Sequence, residues 1–250
     1  MPYTYYENHG KGLGLALDIG RDILECGGEI SRSEDTVRRL CAALCGDKSE
    51  VFSITSLLIA TVRTSKGEVT QMRRIGVSSN NMDRLERLNS LSRKICSEKV
   101  PDEEINSVLT EPVKYPFFIA YIGAVLAAGG FCVFFGGSVS DAIAAALTGI
   151  IIQLIGKIPT PHALARTLLC SFAGGISANI AVMVGLGYHP DKIMIGAIML
   201  LIPGLALGNS IRDILSGDLI AGSLRLAQSG LTALSIAAGF GAAIALFGGR

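Results

Sequence analysis

Residues 115–140 read YPFFIAYIGAVLAAGGFCVFFGGSVS, a run of 26 uncharged residues between Lys114 and Asp141. A transmembrane helix needs about 20 mostly apolar residues, because each residue advances the helix by about 1.5 Å. This run therefore predicts a membrane span near residues 116–136.

Four further charge-free runs follow in the second half of the chain. Two of them contain 24 residues each, one contains 19 and one contains 15. Together with the first run they predict five spans, near 116–136, 138–156, 166–187, 192–209 and 220–247. The second could instead be a re-entrant segment. A single run of this kind is also typical of a buried core helix, but five in succession favour a membrane domain.

The charged residues are concentrated in the first half. Residues 1–115 hold 33 of the 43 Lys, Arg, Asp and Glu side chains, and charged residues make up 17% of the whole chain. Soluble domains average about 25%. We therefore expect an α-helical polytopic membrane protein with a small N-terminal α/β cytosolic domain, divided into residues 1–112 and 113–250.

The N-terminal domain shows alternating helix and strand signals. Residues 13–27 have helical spacing and end at Gly27 and Gly28, which is a typical helix stop. Residues 51–63 predict a strand that a Ser65-Lys66-Gly67 turn joins to EVTQMRRI in a hairpin. Two short helices are predicted after it, near 81–97 and 102–109.

No known catalytic or cofactor motif is present in this domain. The chain lacks a G-x-S-x-G elbow, a Walker loop and an HExxH motif. Glu29, Glu34 and Asp35 are close in sequence and could supply an acid pair, although capping and solvation of a helix start is the favoured interpretation. The six Cys residues do not form a zinc pattern, and the net charge of +1 gives no indication of nucleic-acid binding. We predict no cofactor and no metal.

The stretch LLIPGLALGNSIRDILSGD, residues 200–218, begins as a membrane segment and then breaks. Pro203 cannot donate to the carbonyl of Met199, and Gly204 lets the backbone open further. In lipid such breaks persist where protein or a wet cavity surrounds them, as in transporters. The polar residues that follow are Asn209, Arg212, Asp213, Asp218 and Arg225. We interpret this segment as lining a path for a small charged solute; a simple kink with charges reaching the interface is the alternative.

The basic residues beside the predicted spans indicate an orientation. Five of them fall on one side of the predicted membrane and two on the other. Since basic residues favour the cytosolic side, the N-terminus is predicted in the cytosol and the C-terminus outside, in a bacterial cell membrane. The N-terminal residues MPYTYYENHGKG lack the apolar core of a cleavable signal sequence.

Several motifs resemble the threonine/serine exporter family along nearly the whole chain. In the first half they are GGEISRSEDTVRRL (27–40), which contains Glu29 and Glu34, and NNMDRLERLNSLSR (80–93). At the membrane domain they are KYPFF (114–118) and GGSVSDA (136–142), which contains Asp141. The most specific run comprises Pro203, Gly204, Asn209, Asp213, Gly217, Gly222 and Arg225. Arg212 is not carried over from the family, so its role stays open.

The resemblance implies export of small hydrophilic metabolites from the cytosol, driven by an ion gradient. Family members are associated with threonine and serine, and relatives of the split form with succinate. In the split form a larger subunit carries a cytosolic domain and about five spans, and a small membrane protein supplies the remainder. Because five spans are predicted before Arg250, we expect a half-transporter with such a partner, although a homo-oligomer stays open.

The site hypothesis assigns three roles. Arg225 attracts or pairs the carboxylate of the solute, and Asn209 completes the site with the opened backbone at Pro203 and Gly204. Asp213 or Asp141 serves proton coupling, because low dielectric raises a carboxyl pKa. Two alternatives stay open: a membrane-anchored sensor or enzyme whose cytosolic domain carries the activity, and a purely structural partner of another transport subunit.

Overall fold

The structure is a computed structural model that describes residues 9–45, 48–64, 67–76, 79–110 and 115–247. These residues form two compact units. The first comprises the described residues of Met1–Lys114 together with Leu205–Ala227, and the second those of Tyr115–Gly204 and Gln228–Arg250. The division at residue 112 stays a prediction, and in the structure residues 205–227 group with the N-terminal residues. Hydropathy does not predict this grouping, because it does not indicate which other segments a short amphipathic helix packs against.

Helices and a small sheet make up the N-terminal part of the first unit. Its elements are α1 (His9–Glu25), α2 (Ile30–Cys45), β1 (Ser49–Ile54), β2 (Leu57–Thr64), β3 (Gly67–Arg74), α3 (Met82–Ser97) and α4 (Asp102–Thr110). The strands are antiparallel in the order β1-β2-β3. The predicted strand at 51–63 is in fact divided into β1 and β2 by a turn at Thr55 and Ser56. Ser65 and Lys66 of the predicted hairpin turn lie outside the described residues.

One face of the sheet and the helices enclose the core of the first unit. Leu58, Ala60 and Val62 alternate along β2 and are fully buried, as period-2 alternation requires of a half-buried strand. Apolar residues of α1 and α2 pack against them, and Ala221 from the later segment belongs to the same core. The first unit therefore has a hydrophobic core of its own, to which residues 205–227 contribute.

Four helices among the described residues are long and apolar enough to cross a membrane. They are α5 (Phe117–Phe134), α6 (Val139–Gly156), α7 (Ala163–Met183) and α10 (Leu219–Phe247). The predicted segment 192–209 is not a fifth such helix, because it is divided between α8 (Pro190–Ile198) and α9 (Gly204–Leu215). The chain is thus a polytopic helical membrane protein with a small N-terminal α/β region.

Small side chains form the packing core of the second unit. The buried positions contributed by α5 to α8 include Ala128, Cys132, Ala144, Ala145, Ala178 and Ala197. Since lipid tails are as apolar as Leu, membrane helices associate by close packing, which small residues permit. Most large apolar side chains of α5 stay exposed instead, as expected for a surface that faces acyl chains.

Candidate functional site

The helix break predicted from Pro203 is present. α8 ends at Ile198, whose carbonyl accepts hydrogen bonds from the backbone N–H groups of both Leu201 and Ile202. The Gly204 N–H bonds the Ile202 carbonyl at 2.9 Å, and α9 begins at Gly204. Because proline has no N–H to donate, the regular ladder cannot pass through position 203.

α9 and the start of α10 form a tight helical hairpin in the first unit. Gly222 on α10 lies so close to α9 that a Cβ there would be 2.8 Å from the Ser210 carbonyl oxygen and 2.9 Å from the Ile214 nitrogen. Only glycine fits such a backbone approach. Gly222 therefore sets the spacing that brings the next turn of α10 against α9.

A buried ion pair joins the two helices of this hairpin. Arg225 Nη1 lies 3.0 Å from Asp213 Oδ2, and the Asp213 side chain is fully buried. The backbone N–H of Ile30, at the start of α2, donates to Asp213 Oδ1 at 3.3 Å. Burial raises the pKa of the Asp213 carboxyl above its usual value, and the Arg225 guanidinium opposes that rise. Residues of α2, α9 and α10 thus hold an ion pair out of water.

The turn after α1 meets α9 at two further points. Gly27 has φ +89°, which lets the chain reverse after α1, and its carbonyl accepts a 2.9 Å hydrogen bond from Asn209 Nδ2. Glu29, which is nearly buried, forms an ion pair with the exposed Arg212. Asn209, Arg212 and Asp213 are spaced i, i+3 and i+4, which places them on one face of a helix. From this spacing alone, the sequence could have predicted that Arg212 faces the same contacts as its two neighbours.

A cavity of about 210 Å³ lies beside these contacts within the first unit. Ligand pockets for drug-sized molecules are larger, so this volume suits a small metabolite. The polar side chains that line it include both signs of charge and two amides. They are Glu29, Arg32, Asn89, Asn209 and Arg212.

Glu34 takes no part in this cluster. It is buried and accepts hydrogen bonds from the Ser53 N–H at 2.7 Å and from Ser53 Oγ at 3.1 Å. Arg38, one turn later on α2, pairs with its other oxygen at 2.7 Å. Glu34 therefore fastens α2 to β1, which is a structural role.

We expect Glu34→Ala to lower the free energy of unfolding by about 2 kcal/mol, because it leaves the buried Ser53 donors without an acceptor. Thermal unfolding of the full chain in detergent measures this. Asp35→Ala is the matched control, since Asp35 pairs with Arg39 at an exposed site and its loss should leave the midpoint nearly unchanged. Equal shifts for both variants would contradict the role of Glu34.

Asp141 lies in the second unit and caps α6. Its side chain is fully buried and accepts hydrogen bonds from Ser138 N at 2.9 Å, from Tyr188 N at 2.6 Å and from His189 N at 3.0 Å. His189 Nδ1 lies 2.9 Å from its second oxygen. Asp141 thus joins the turn before α6 to the turn before α8. His189 was not predicted as a partner of Asp141 because 48 residues separate the two.

The structure divides the predicted site residues between the two units. Asn209, Asp213, Gly222 and Arg225 lie together in the first unit, and Glu29 is joined to them through α9. Pro203, Gly204 and Asp141 belong to the second unit. Within the described residues no group of three or more His, Cys, Asp or Glu side chains is arranged to hold a metal ion.

The apolar helices, the small-residue packing and the interrupted α8–α9 segment define a class of protein, the polytopic membrane proteins. The family profile described as "Putative threonine/serine exporter" matches residues 14–247. The chain therefore belongs to the threonine/serine exporter family.

Two curated relatives are similar over much of the chain. The "Threonine/serine exporter" of Corynebacterium glutamicum is 25% identical over 248 residues, which cover 94% of this chain and 51% of the relative. The "Probable threonine/serine exporter" of Mycobacterium tuberculosis (strain ATCC 25618 / H37Rv) is 28% identical over 189 residues, 71% of this chain and 35% of the relative. The chain thus spans about half the length of the first and a third of the second. No solved structure matches it significantly.

Proposed function

We propose that the chain is a subunit of a secondary-active exporter that moves small carboxylate-bearing metabolites out of the cytosol. The solutes are of the serine and threonine class, after the names of the two relatives, with a dicarboxylate such as succinate as the second solute to test. The N-terminus lies in the cytosol and the C-terminus outside, which the excess of basic residues on one side of the spans supports.

The buried Asp213–Arg225 pair is the observation that carries this proposal. Placing an ion pair out of water costs several kcal/mol per ion, and apolar residues of similar volume often do as well for stability. An ion pair that is buried in a membrane protein therefore indicates a functional use for the charges.

The pair also supports a role for Arg225 in binding the solute. Arg225 already bonds Asp213 at 3.0 Å, so a solute carboxylate that binds the guanidinium competes with Asp213. A displaced Asp213 would be a buried carboxylate without a cation, and such a group takes up a proton readily. Solute binding and proton occupancy of Asp213 thereby become interdependent.

Asp213 is a better proton carrier than Asp141. Asp141 is surrounded by backbone and side-chain donors that hold its charged form, whereas Asp213 has, among the described residues, one long backbone hydrogen bond and a single cation. Asn209 holds α9 to the turn after α1 through the Gly27 carbonyl, and Pro203 and Gly204 open the backbone before α9. Glu29 and Arg212 hold α9 against the turn after α1.

We further propose a partner, a small membrane protein of the same family, that supplies the remainder of the transport path. The lengths of the relatives support this, because the match to this chain covers 51% of one relative and 35% of the other. A second copy of this chain is the competing partner. Affinity purification of the tagged chain from its native membrane, followed by mass determination of the complex, distinguishes the two.

Metabolite efflux tests the proposed function directly. Cells that carry the chain natively are compared with cells that lack it, both loaded with labelled serine, threonine or succinate. We expect efflux of at least one of these solutes to fall when the chain is removed and to return when it is restored. Equal efflux of all three in both strains would refute export of this solute class.

A further inference from the structure

A second cavity lies in the second unit, beside the interrupted segment. Its volume is about 150 Å³, and it lies between the end of α6, the start of α7 and the residues that follow α8. The residues that matter here are Gln153, Arg166, Thr167, Leu200 and Leu201. None of them belongs to the cluster around Asp213, which lies in the first unit.

Two polar side chains that line this cavity lack partners within the described part of the chain. Arg166 pairs with no carboxylate there, and the Gln153 amide makes no hydrogen bond there. Lys157 differs, since its ammonium lies 4.6 Å from the centre of the Tyr121 ring. A half-buried amide and a guanidinium without partners leave donors that a solute can satisfy.

The interrupted backbone beside this cavity has carbonyl groups without donors among the described residues. In a continuous helix the Leu200 carbonyl would accept from the Gly204 N–H, but that N–H bonds Ile202 instead. Among the described residues no donor bonds the carbonyl oxygens of Leu200 or Leu201. Unwound carbonyls at the C-terminal end of a half-helix carry partial negative charge and favour cations.

We propose that this cavity is a second binding site for the solute, separate from Arg225, and that it takes a zwitterion, a compact hydroxylated α-amino acid. Arg166 binds its carboxylate, the carbonyls of Leu200 and Leu201 accept from its ammonium, and Gln153 and Thr167 bond its hydroxyl. A dicarboxylate fits poorly, because its second carboxylate would face carbonyl oxygens. This inference rests on the proposed export function and names the solute class and its binding residues.

Efflux kinetics with substituted Arg166 test the carboxylate contact. Because hydrogen bonds to charged groups contribute about 1.5–3 kcal/mol, we expect Arg166→Gln to raise the half-saturating internal serine concentration about tenfold or more. Arg166→Lys should retain part of the affinity, and Lys157→Gln is the matched control with unchanged kinetics. Arg166 is exposed, so the variant should reach the membrane in normal amount, which immunoblotting checks.

Gly156 allows a test of the cavity itself. A Cβ at Gly156 meets only Cys170 Sγ, at 3.9 Å, so Gly156→Ala fits without strain. Gly156→Leu extends a side chain into the cavity, and we expect it to remove saturable serine efflux while Gly156→Ala keeps it. Wild-type kinetics in both Arg166→Gln and Gly156→Leu would overturn the proposal.

Binding to the purified protein separates this inference from the export function. Full-length chain, isolated with whatever partner accompanies it, is heated with L-serine, with a hydroxy acid that lacks the ammonium, or with succinate. We expect serine alone to raise the unfolding midpoint, and Arg166→Gln to abolish that shift. If the wild type exports none of the solutes, the proposed export function is wrong. If serine raises the unfolding midpoint equally in the wild type and in Arg166→Gln, the proposed binding site is wrong.

Discussion

Arg225→Ala is expected to abolish solute efflux and to lower the free energy of unfolding by about 3–5 kcal/mol. The loss follows from geometry, because the substitution leaves the fully buried Asp213 carboxylate without the cation that lies 3.0 Å from it. Efflux from loaded cells and thermal unfolding of the purified chain are measured on the same variant.

A double substitution separates folding from transport in this experiment. Asp213→Asn keeps an acceptor for the Ile30 N–H, and Arg225→Met fills the space of the guanidinium stem without charge. We expect the double variant to unfold close to the wild-type midpoint and still to export nothing. Arg63→Ala is the matched single control, since Arg63 is exposed and its ion pairs with the exposed Glu50 and Glu68 contribute little to stability. Normal efflux from a properly inserted Arg225→Ala protein would end the role proposed for Arg225.

Gly222→Ala is expected to have the second-largest effect. The added Cβ would lie 2.8 Å from the Ser210 carbonyl oxygen and 2.9 Å from the Ile214 nitrogen, so α9 and α10 must separate. Overpacking of this kind costs about 1–3 kcal/mol, and the separation also displaces Arg225 from Asp213. Both the unfolding midpoint and the efflux rate should fall.

Gly208→Ala is the matched control for this substitution. Gly208 lies on α9, and a Cβ there meets nothing within 4 Å. Since alanine is the better helix former by about 0.5–1 kcal/mol, Gly208→Ala should raise the midpoint slightly and leave efflux intact. If Gly222→Ala unfolds at the same temperature as Gly208→Ala, the close approach of the two helices does not contribute to stability.

Local chemistry explains why part of the architecture could be predicted from the sequence. Charge-free runs predicted α5, α6, α7 and α10, because the cost of placing a charge in hydrocarbon depends on the residue and not on its neighbours. Pro203 predicted the interruption after α8 for a similar reason, since its missing N–H breaks the ladder in any surroundings. Gly27 and Gly28 likewise predicted the end of α1.

Side-chain pairing was beyond the reach of such local rules. Glu29 and Arg212 are 183 residues apart in the chain, and Asp141 and His189 are 48 apart. Arg225 was predicted to attract or pair the carboxylate of the solute, and its hydrogen bond to Asp213 was not predicted. Which helix faces meet depends on the packing of the whole unit, and a single sequence does not reveal it.

The sequence by itself determined the membrane class of the protein, the interruption at Pro203 and the identity of the charged residues that follow it. Only the tertiary structure decided that residues 205–227 join the N-terminal unit, that Asp213 neutralises Arg225, and that Arg166 and Gln153 line one cavity beside Leu200 and Leu201. The physical reason is that hydropathy and backbone chemistry belong to single residues and short windows. Ion pairs and cavities belong to surfaces that come together only when distant segments pack.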